Sequence, residues 1–532
     1  MNQFIQEASN RTTTENGAEA YKSTKSVIVD QFGLAGSYMD RPMKDVTEDQ
    51  EKLWDENPLY ALRFPFYLRM VTRKTCKPEG CLTDEVQRGQ GLRDESFKRL
   101  IALEASHPKT FYANIVMLPY VGSWKDLWTL MYYSIKNEKP LNAEMIFAIL
   151  KHGLDDMNTT NLVKKYMPRI KSNKKCTTER AKILNRLAKE FATFMGLNYA
   201  EYNKLKASGT AHDFQKIICA KKFDELNWNK IPGKALSLLA MSKFIPNHNL
   251  TDSYMEWAEK CGKMKFTGYA FELGQQVRKG KLAQHQVLTL NKQFDSLVAT
   301  ASSNNGAIKG NVWCALDTSG SMTWPIKGDI TALDVCMSLG VFFSTLNTGA
   351  FHKNVIMFDS VSRVLQLEGD FVDMMRQIPS NAMGSTNFQS VVDTICSIRT
   401  NRPDIPLEDY PTTLLVVSDM QFNPKEHSYR DASSEQCDYA MKAYRSQLAK
   451  VFPQEWVDSF KFVWWNCVSR IANHQATIDD SGNYFFSGFD GSVISLLLGG
   501  NQKENTQLPD MEEIVDSALN QEVLTLLNIT ED

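Results

Sequence analysis

Asp317, Ser319 and Ser321 stand at alternate positions directly after a short apolar run, Val312 to Leu316. One carboxylate and two hydroxyls offer only hard oxygens, so the ion they suit is Mg²⁺, Mn²⁺ or another hard divalent cation. Two further oxygen donors follow at comparable places. Thr386 lies in Gly384-Ser-Thr386-Asn387, 69 residues after Asp317, and Asp419 closes the apolar run Leu414-Leu-Val-Val-Ser418, 102 residues after it. A phosphoryl-transfer aspartate would want a second carboxylate two residues on, where this chain has Ser319. A plain helix cap by Ser319 or Ser321 is compatible with metal binding. No Gly-x4-Gly-Lys-Ser/Thr loop, no ordered Ser/His/Asp set and no nearby general base accompany these residues. The chemistry expected is binding, with no catalytic residue and no enzyme activity.

Positioning such donors requires a sheet. Val312 to Leu316 reads as a parallel strand covered on both faces. Open α/β sheets hold ligands at the C-terminal ends of such strands. From about 306 to 500 the pattern alternates. Strands are expected over 311–316, 354–358, 363–367, 412–418, 461–467 and 484–488. Helices are expected over 330–346, 371–378, 387–399, 438–451 and 492–498. That order predicts a doubly wound α/β domain. A polar segment at 302–306 marks the junction before it, and 501–532 is expected to be a C-terminal tail with a helix over 511–527.

Residues 51–300 show helical spacing without β-type alternation, with Pro119, Pro168, Pro232 and Pro246 as punctuation and Pro65 implying a helix start or a kink. An all-α helical-repeat module of HEAT-like type is expected there. Residues 1–50 are polar and without clear period, which suggests an arm or poorly ordered leader, or else a docking segment. No apolar run is long enough to span a membrane, and the N-terminus lacks the core of a signal peptide. The ten cysteines are scattered, as reduced cytoplasmic thiols are. Cys76 and Cys81 are the only close pair, and no second pair at zinc spacing supports them.

Charge divides the chain. Residues 301–532 carry 15 Lys and Arg against 29 Asp and Glu, whereas the first 300 carry 45 against 33. The densest stretch, 163–190, holds ten basic residues and two acids. Such asymmetry points to a polyanion-binding half joined to an acidic one, although a solvated helix face accounts for the run about equally well.

The five donors Asp317, Ser319, Ser321, Thr386 and Asp419, with the element order over 306–500, resemble the metal-ion-dependent adhesion site of von Willebrand factor A domains. Upstream stand a turn at Arg88 to Arg93, then Gly122-Ser-Trp-Lys-Asp-Leu127, then Phe223 to Pro232. A helical module with these features before an A domain resembles the TROVE-plus-A-domain organisation of Ro proteins. The chain is similar, more closely, to a poorly characterised sister family found in plants, fungi, bacteria and large viruses. Tyr166-Met-Pro-Arg169, Trp228 to Pro232, Ser418-Asp-Met-Gln421, Val463-Trp-Trp-Asn466 and Ser487-Gly-Phe-Asp490 carry that likeness. The resemblance implies a helical ring closed by the A domain, binding small, structured or misfolded RNA. It implies Lys164, Lys165, Arg169, Lys171, Lys174, Lys175 and Arg180 as phosphate contacts. It also implies a metal that takes an Asp or Glu from a protein ligand. A metal-dependent adaptor or assembly component without RNA, such as the partner of a separate ATPase, is the alternative.

Overall fold

The computed structural model describes residues 9–38, 40–78, 80–209, 213–303, 311–379, 384–424, 440–468, 473–489 and 509–530. The chain divides into two compact units, one of Met1–Met39 with Trp228–Ser517, the other of Asp40–Asn227 with Ala518–Asp532. This division differs from the boundaries expected at 50, 300 and 500. Part of the polar N-terminus and the helices after 232 belong with the sheet, and the last residues belong with the first helices.

In the first unit, β1 (Arg11–Thr13) and β2 (Glu19–Tyr21) form a hairpin. The sheet strands are β3 (Trp313–Asp317), β6 (Asn354–Phe358), β7 (Ser362–Gln366), β8 (Thr413–Ser418), β9 (Lys461–Asn466) and β10 (Asn483–Ser487). A short hairpin, β4 (Pro325–Lys327) with β5 (Ile330–Thr331), follows β3. The sheet order is β10-β9-β8-β3-β6-β7, and only the β7 edge is antiparallel. β3 and β8 are buried at every position, as apolar strands between two helical layers must be. From β3 the chain moves to β6 on one side and later to β8 on the other. That reversal opens a crevice at their C-terminal ends.

Two of the covering helices fit through glycines. Gly340 of the helix Ala332–Leu346 is so placed that a Cβ would fall 2.4 Å from Leu316 Cδ1. The helix Val27–Ala35 lies on β10, where a Cβ on Gly33 would meet Phe485 at 2.8 Å, and Gly36 N donates to Ser487 Oγ at 2.9 Å. Over residues 9–38 the expected arm is therefore a packed part of the sheet unit, and from Asp40 on it belongs to the helical one. The helix Ala270–Arg278 packs on Ala332–Leu346, with Arg278 Nη2 donating to the fully buried Asp334 at 2.9 Å. This ion pair is one reason the helices after 232 group with the sheet. The expected helix at 492–498 and most of the 302–306 junction lie outside the described residues, and the helix expected over 511–527 is Met511–Leu519.

The second unit is helical. Among its described residues the only β pairing is at isolated bridges, Arg73 with Gln87 and Cys76 with Leu82. Asn57 caps the helix Pro58–Arg69 by accepting from Tyr60 N at 3.1 Å, and Pro65 sits inside that helix instead of starting one. Phe147 and Trp128 meet Phe191 at 5.1 and 5.6 Å between ring centroids, which closes the core between three helices. Asp126, fully buried, accepts from Arg69 Nη2 at 2.5 Å and Arg93 Nε at 3.0 Å, so its charge is compensated. Gln521 bonds both the N–H and the carbonyl of Arg88 and so pins the expected Arg88 to Arg93 turn.

Candidate metal centre and basic face

The register of the sheet assembles the acidic site. Leu316 of β3 pairs with Val417 of β8, which sets Asp317 beside Ser418 and one residue from Asp419. Ser418 Oγ donates to Asp317 Oδ2 at 2.5 Å, and Ser319 N donates to Oδ1 at 2.9 Å. The Ser319 and Ser321 hydroxyls are 3.1 Å apart. Gln421 N donates to Asp419 Oδ1 at 3.2 Å. Thr386 arrives on a loop tied to both neighbouring strand ends. Asn423, after β8, donates its N–H to Thr386 O at 2.8 Å, and Asp359, after β6, accepts from Asn387 N at 2.8 Å. Four of the five expected donors are buried, and Ser321 is half-buried.

Burial, and next the neighbouring Asp419 charge, push the Asp317 carboxyl up to about 7. Two adjacent buried carboxylates disfavour each other's ionisation unless a cation or a proton compensates them. A carboxylate has roughly four lone-pair positions, and the two bonds to Asp317 leave capacity for a cation. The five candidate donors are all oxygens and suit a hard divalent ion, and the buried Cys336 thiol, which donates to Asp317 O at 3.6 Å, lies behind them. Among the described residues no three His, Cys, Asp or Glu cluster, and this set has only two carboxylates. The contributions of Ser418, Gln421 and Asn423 were missed at the sequence level. Ser418 acts across the sheet on Asp317, Gln421 on Asp419 two residues before it and Asn423 on the Thr386 loop, and only the motif Ser418 to Gln421 hinted at two of them.

The seven expected phosphate contacts lie in the helical unit around the helices Thr160–Tyr166 and Glu179–Phe194 and the short turn Asn173–Lys175. Lys164 is half-exposed; Lys165, Arg169, Lys171, Lys174, Lys175 and Arg180 are exposed. Two asparagines hold the intervening loop. Asn185 brackets Lys171, accepting from its N–H at 2.8 Å and donating to its carbonyl at 3.1 Å, and Asn203 does the same for Ile170 at 3.0 Å each way. Burial and then the Arg169 guanidinium lower the Lys206 pKa. Burial, and after it Arg93 and Arg180, lower that of Lys125. The fold thus adds Arg93, Lys125 and Lys206 to the basic face, three residues distant in sequence from the charge run. A cleft of about 460 Å³ lined by Asn173, Lys182, Arg186 and Lys189 opens beside it. A second, of about 430 Å³, joins Arg73, Lys74 and Lys77 to Tyr120, Trp124 and Tyr166.

The nine described cysteines are all free thiols, Cys76 and Cys81 among them. No helix among the described residues is long and apolar enough to cross a membrane.

Two family models match parts of the chain. One, described as a domain of unknown function (DUF2828), covers residues 14–217, and another, described as a domain of unknown function (DUF7788), covers 312–527. No curated protein matches. Among solved structures the chain is similar to the crystal structure of the Deinococcus radiodurans RO (RSR) protein, at 14% identity and a TM-score of 0.45. The match covers 89% of this chain and 98% of that one.

Proposed function

We propose that the protein is an RNA-binding scaffold of the Ro type whose sheet unit holds a divalent cation, Mg²⁺ or Mn²⁺. The observation that carries the RNA half is the convergence of Arg169 with Lys206 and of Arg180 with Lys125 and Arg93, on the face that already bears the lysine run. Arg169 lowers the Lys206 pKa, and Arg93 and Arg180 that of Lys125, second to burial in each case, and phosphates beside these groups would relieve that repulsion. Arg169 and Arg180 can clamp phosphates with two bonds or stack on bases, and the aromatic-lined cleft offers rings to unpaired bases. The partner class is small, structured or misfolded RNA.

For the metal, support comes from the buried pair Asp317 and Asp419 with hydroxyls from Ser319, Ser321 and Thr386. Asp317 and Asp419 would hold the ion directly or through water, and Ser418 and the Ser319 N–H keep Asp317 oriented. A bound divalent ion would supply positive charge and an open coordination position for a carboxylate of a protein ligand. The role is binding, with no catalytic step assigned to any residue. The alternative, a metal-dependent protein adaptor without RNA, is favoured by one feature: Trp324, three residues after Ser321, is 62% exposed.

Absorbance of the purified protein separates the two readings. A high 260/280 nm ratio that falls after RNase supports the scaffold; a protein-like ratio with no salt-dependent RNA binding supports the adaptor.

A further inference from the structure

The hairpin β1–β2 reaches the strand-end loop that carries Asp419. At its base, Tyr21 and His474 exchange backbone hydrogen bonds of 2.9 Å in both directions. At its tip, Thr14 Oγ1 donates to Phe422 O at 2.6 Å, Glu15 N donates to Gln421 Oε1 at 2.8 Å, and Asn16 Nδ2 donates to Gln421 O at 2.5 Å. The tip is itself tightly closed. Thr14 N donates to Ala18 O at 2.8 Å, Ala18 N donates to Thr14 Oγ1 at 3.0 Å, and Gly17 takes a φ of +91° that suits glycine. Thr14 and Gln421 are both buried, so these bonds are not exchanged freely with water.

Gln421 sits between this tip and the candidate metal site. Its N–H donates to Asp419 Oδ1 at 3.2 Å and its Nε2 donates to Asp419 O at 3.3 Å. Two residues on, Asn423 fixes the Thr386 loop: its N–H donates to Thr386 O at 2.8 Å and its side-chain Oδ1 accepts from Thr386 N at 3.3 Å. The segment 419–423 therefore joins two of the five donors, and the hairpin tip clamps its middle. Met420, in the same segment, has a φ of +62°, a conformation that a non-glycine residue keeps only when its surroundings hold it.

We infer that Gln421 and the hairpin tip Thr14 to Asn16 are positioning elements for the divalent-cation site, so that cation binding and docking of the hairpin tip reinforce one another. This rests on the metal reading above. Groups that orient metal ligands from outside the coordination shell commonly change affinity by roughly 10- to 100-fold when removed. Coupling between two binding events is reciprocal, so an ion that favours the ordered 419–423 segment must also favour the docked tip. The polar N-terminus would then be the part of the chain through which anything that lifts the hairpin weakens the metal site.

The test uses the full chain and MnCl2. Calorimetric titration of wild type, Thr14→Val, Gln421→Ala and Thr14→Ser is paired with hydrogen-exchange mass spectrometry with and without Mn²⁺. The expected result is about 10-fold weaker Mn²⁺ binding in Thr14→Val and Gln421→Ala. Recovery is expected in Thr14→Ser, which keeps the hydroxyl, and Mn²⁺ should slow exchange at residues 14–18 in wild type. If wild type binds Mn²⁺ but the variants bind it equally well and exchange at 14–18 does not change, the coupling is refuted while the metal site stands. If wild type binds no Mn²⁺, the metal reading fails and the coupling with it.

Discussion

The sheet edge around Asp317 and the basic face around Lys171 concentrate charge by opposite means. At the edge, two buried carboxylates converge through strand register and are oriented by Ser418, Gln421 and the Ser319 N–H. On the face, many cations lie exposed on helix ends and one loop, and Asn185 and Asn203 hold the backbone while the side chains reach solvent. A buried site of few groups depends on each of them, whereas an exposed field is the sum of many weak contributions. Single changes should therefore be decisive at the edge and incremental on the face.

The largest effect is expected from Asp317→Ala, which removes the central carboxylate of the proposed cation site. Mn²⁺ binding should be abolished in calorimetry with the circular dichroism unchanged, and retained stoichiometric binding would sink the assignment. Next comes charge reversal of Lys171, Lys174 and Lys175 to Glu. RNA affinity should fall, and the slope of log affinity against log salt should flatten by about 2, given roughly 0.7 per phosphate contact on a single strand. An unchanged slope takes these lysines out of the interface.

Asn185→Ala should do less to RNA than charge reversal, because it frees the loop without removing a cation. It breaks two part-buried hydrogen bonds to the Lys171 backbone and should cost about 1–3 kcal/mol in urea unfolding of the helical unit. No loss of stability would show that the loop is held elsewhere.

The smallest effect concerns pH. His474 is fully buried, and desolvation lowers its pKa despite Asp30 Oδ1 3.3 Å away. The unfolded chain takes up a proton on this histidine near pH 6.5 while the folded one resists it. Its stabilising contribution is thus complete above about pH 6.5 and is lost as pH falls toward the lower folded value. Thermal melts between pH 7.5 and 5.5 should show a shallower decline for His474→Gln than for wild type; parallel declines would contradict this.

The same contrast explains what could be read from the sequence. Asp317, Ser319, Ser321 and Asp419 were legible because each ends or follows a local apolar run, and Thr386 because its Gly-Ser-Thr-Asn stretch precedes a helical pattern. Ser418 and Gln421 were not assigned roles, because they act across strands or through residues 14–16, some 400 positions away. The lysine run was legible as composition, but Arg93, Lys125 and Lys206 join it only through helix packing. For the N-terminal segment the sequence left an arm and a docking segment both open, for a related reason. The helix Val27–Ala35 is buried over nearly its whole surface, so it shows no amphipathic period to betray a docking face. The helices after 232 carry helical spacing like those before, and the Arg278–Asp334 pair that attaches them to the sheet unit has no local signature.

In the proposed function RNA is held by the basic face of the helical unit while the sheet edge is reserved for a cation and its ligand. Photo-crosslinking of RNA bound to the full-length protein, with the modified peptides identified by mass spectrometry, tests it most directly. Crosslinks should fall within residues 164–189 and at Arg93, Lys125, Lys206 or the cleft residues Tyr120 and Tyr166. Crosslinks confined to the strand ends around Asp317, Thr386 and Asp419 would contradict it.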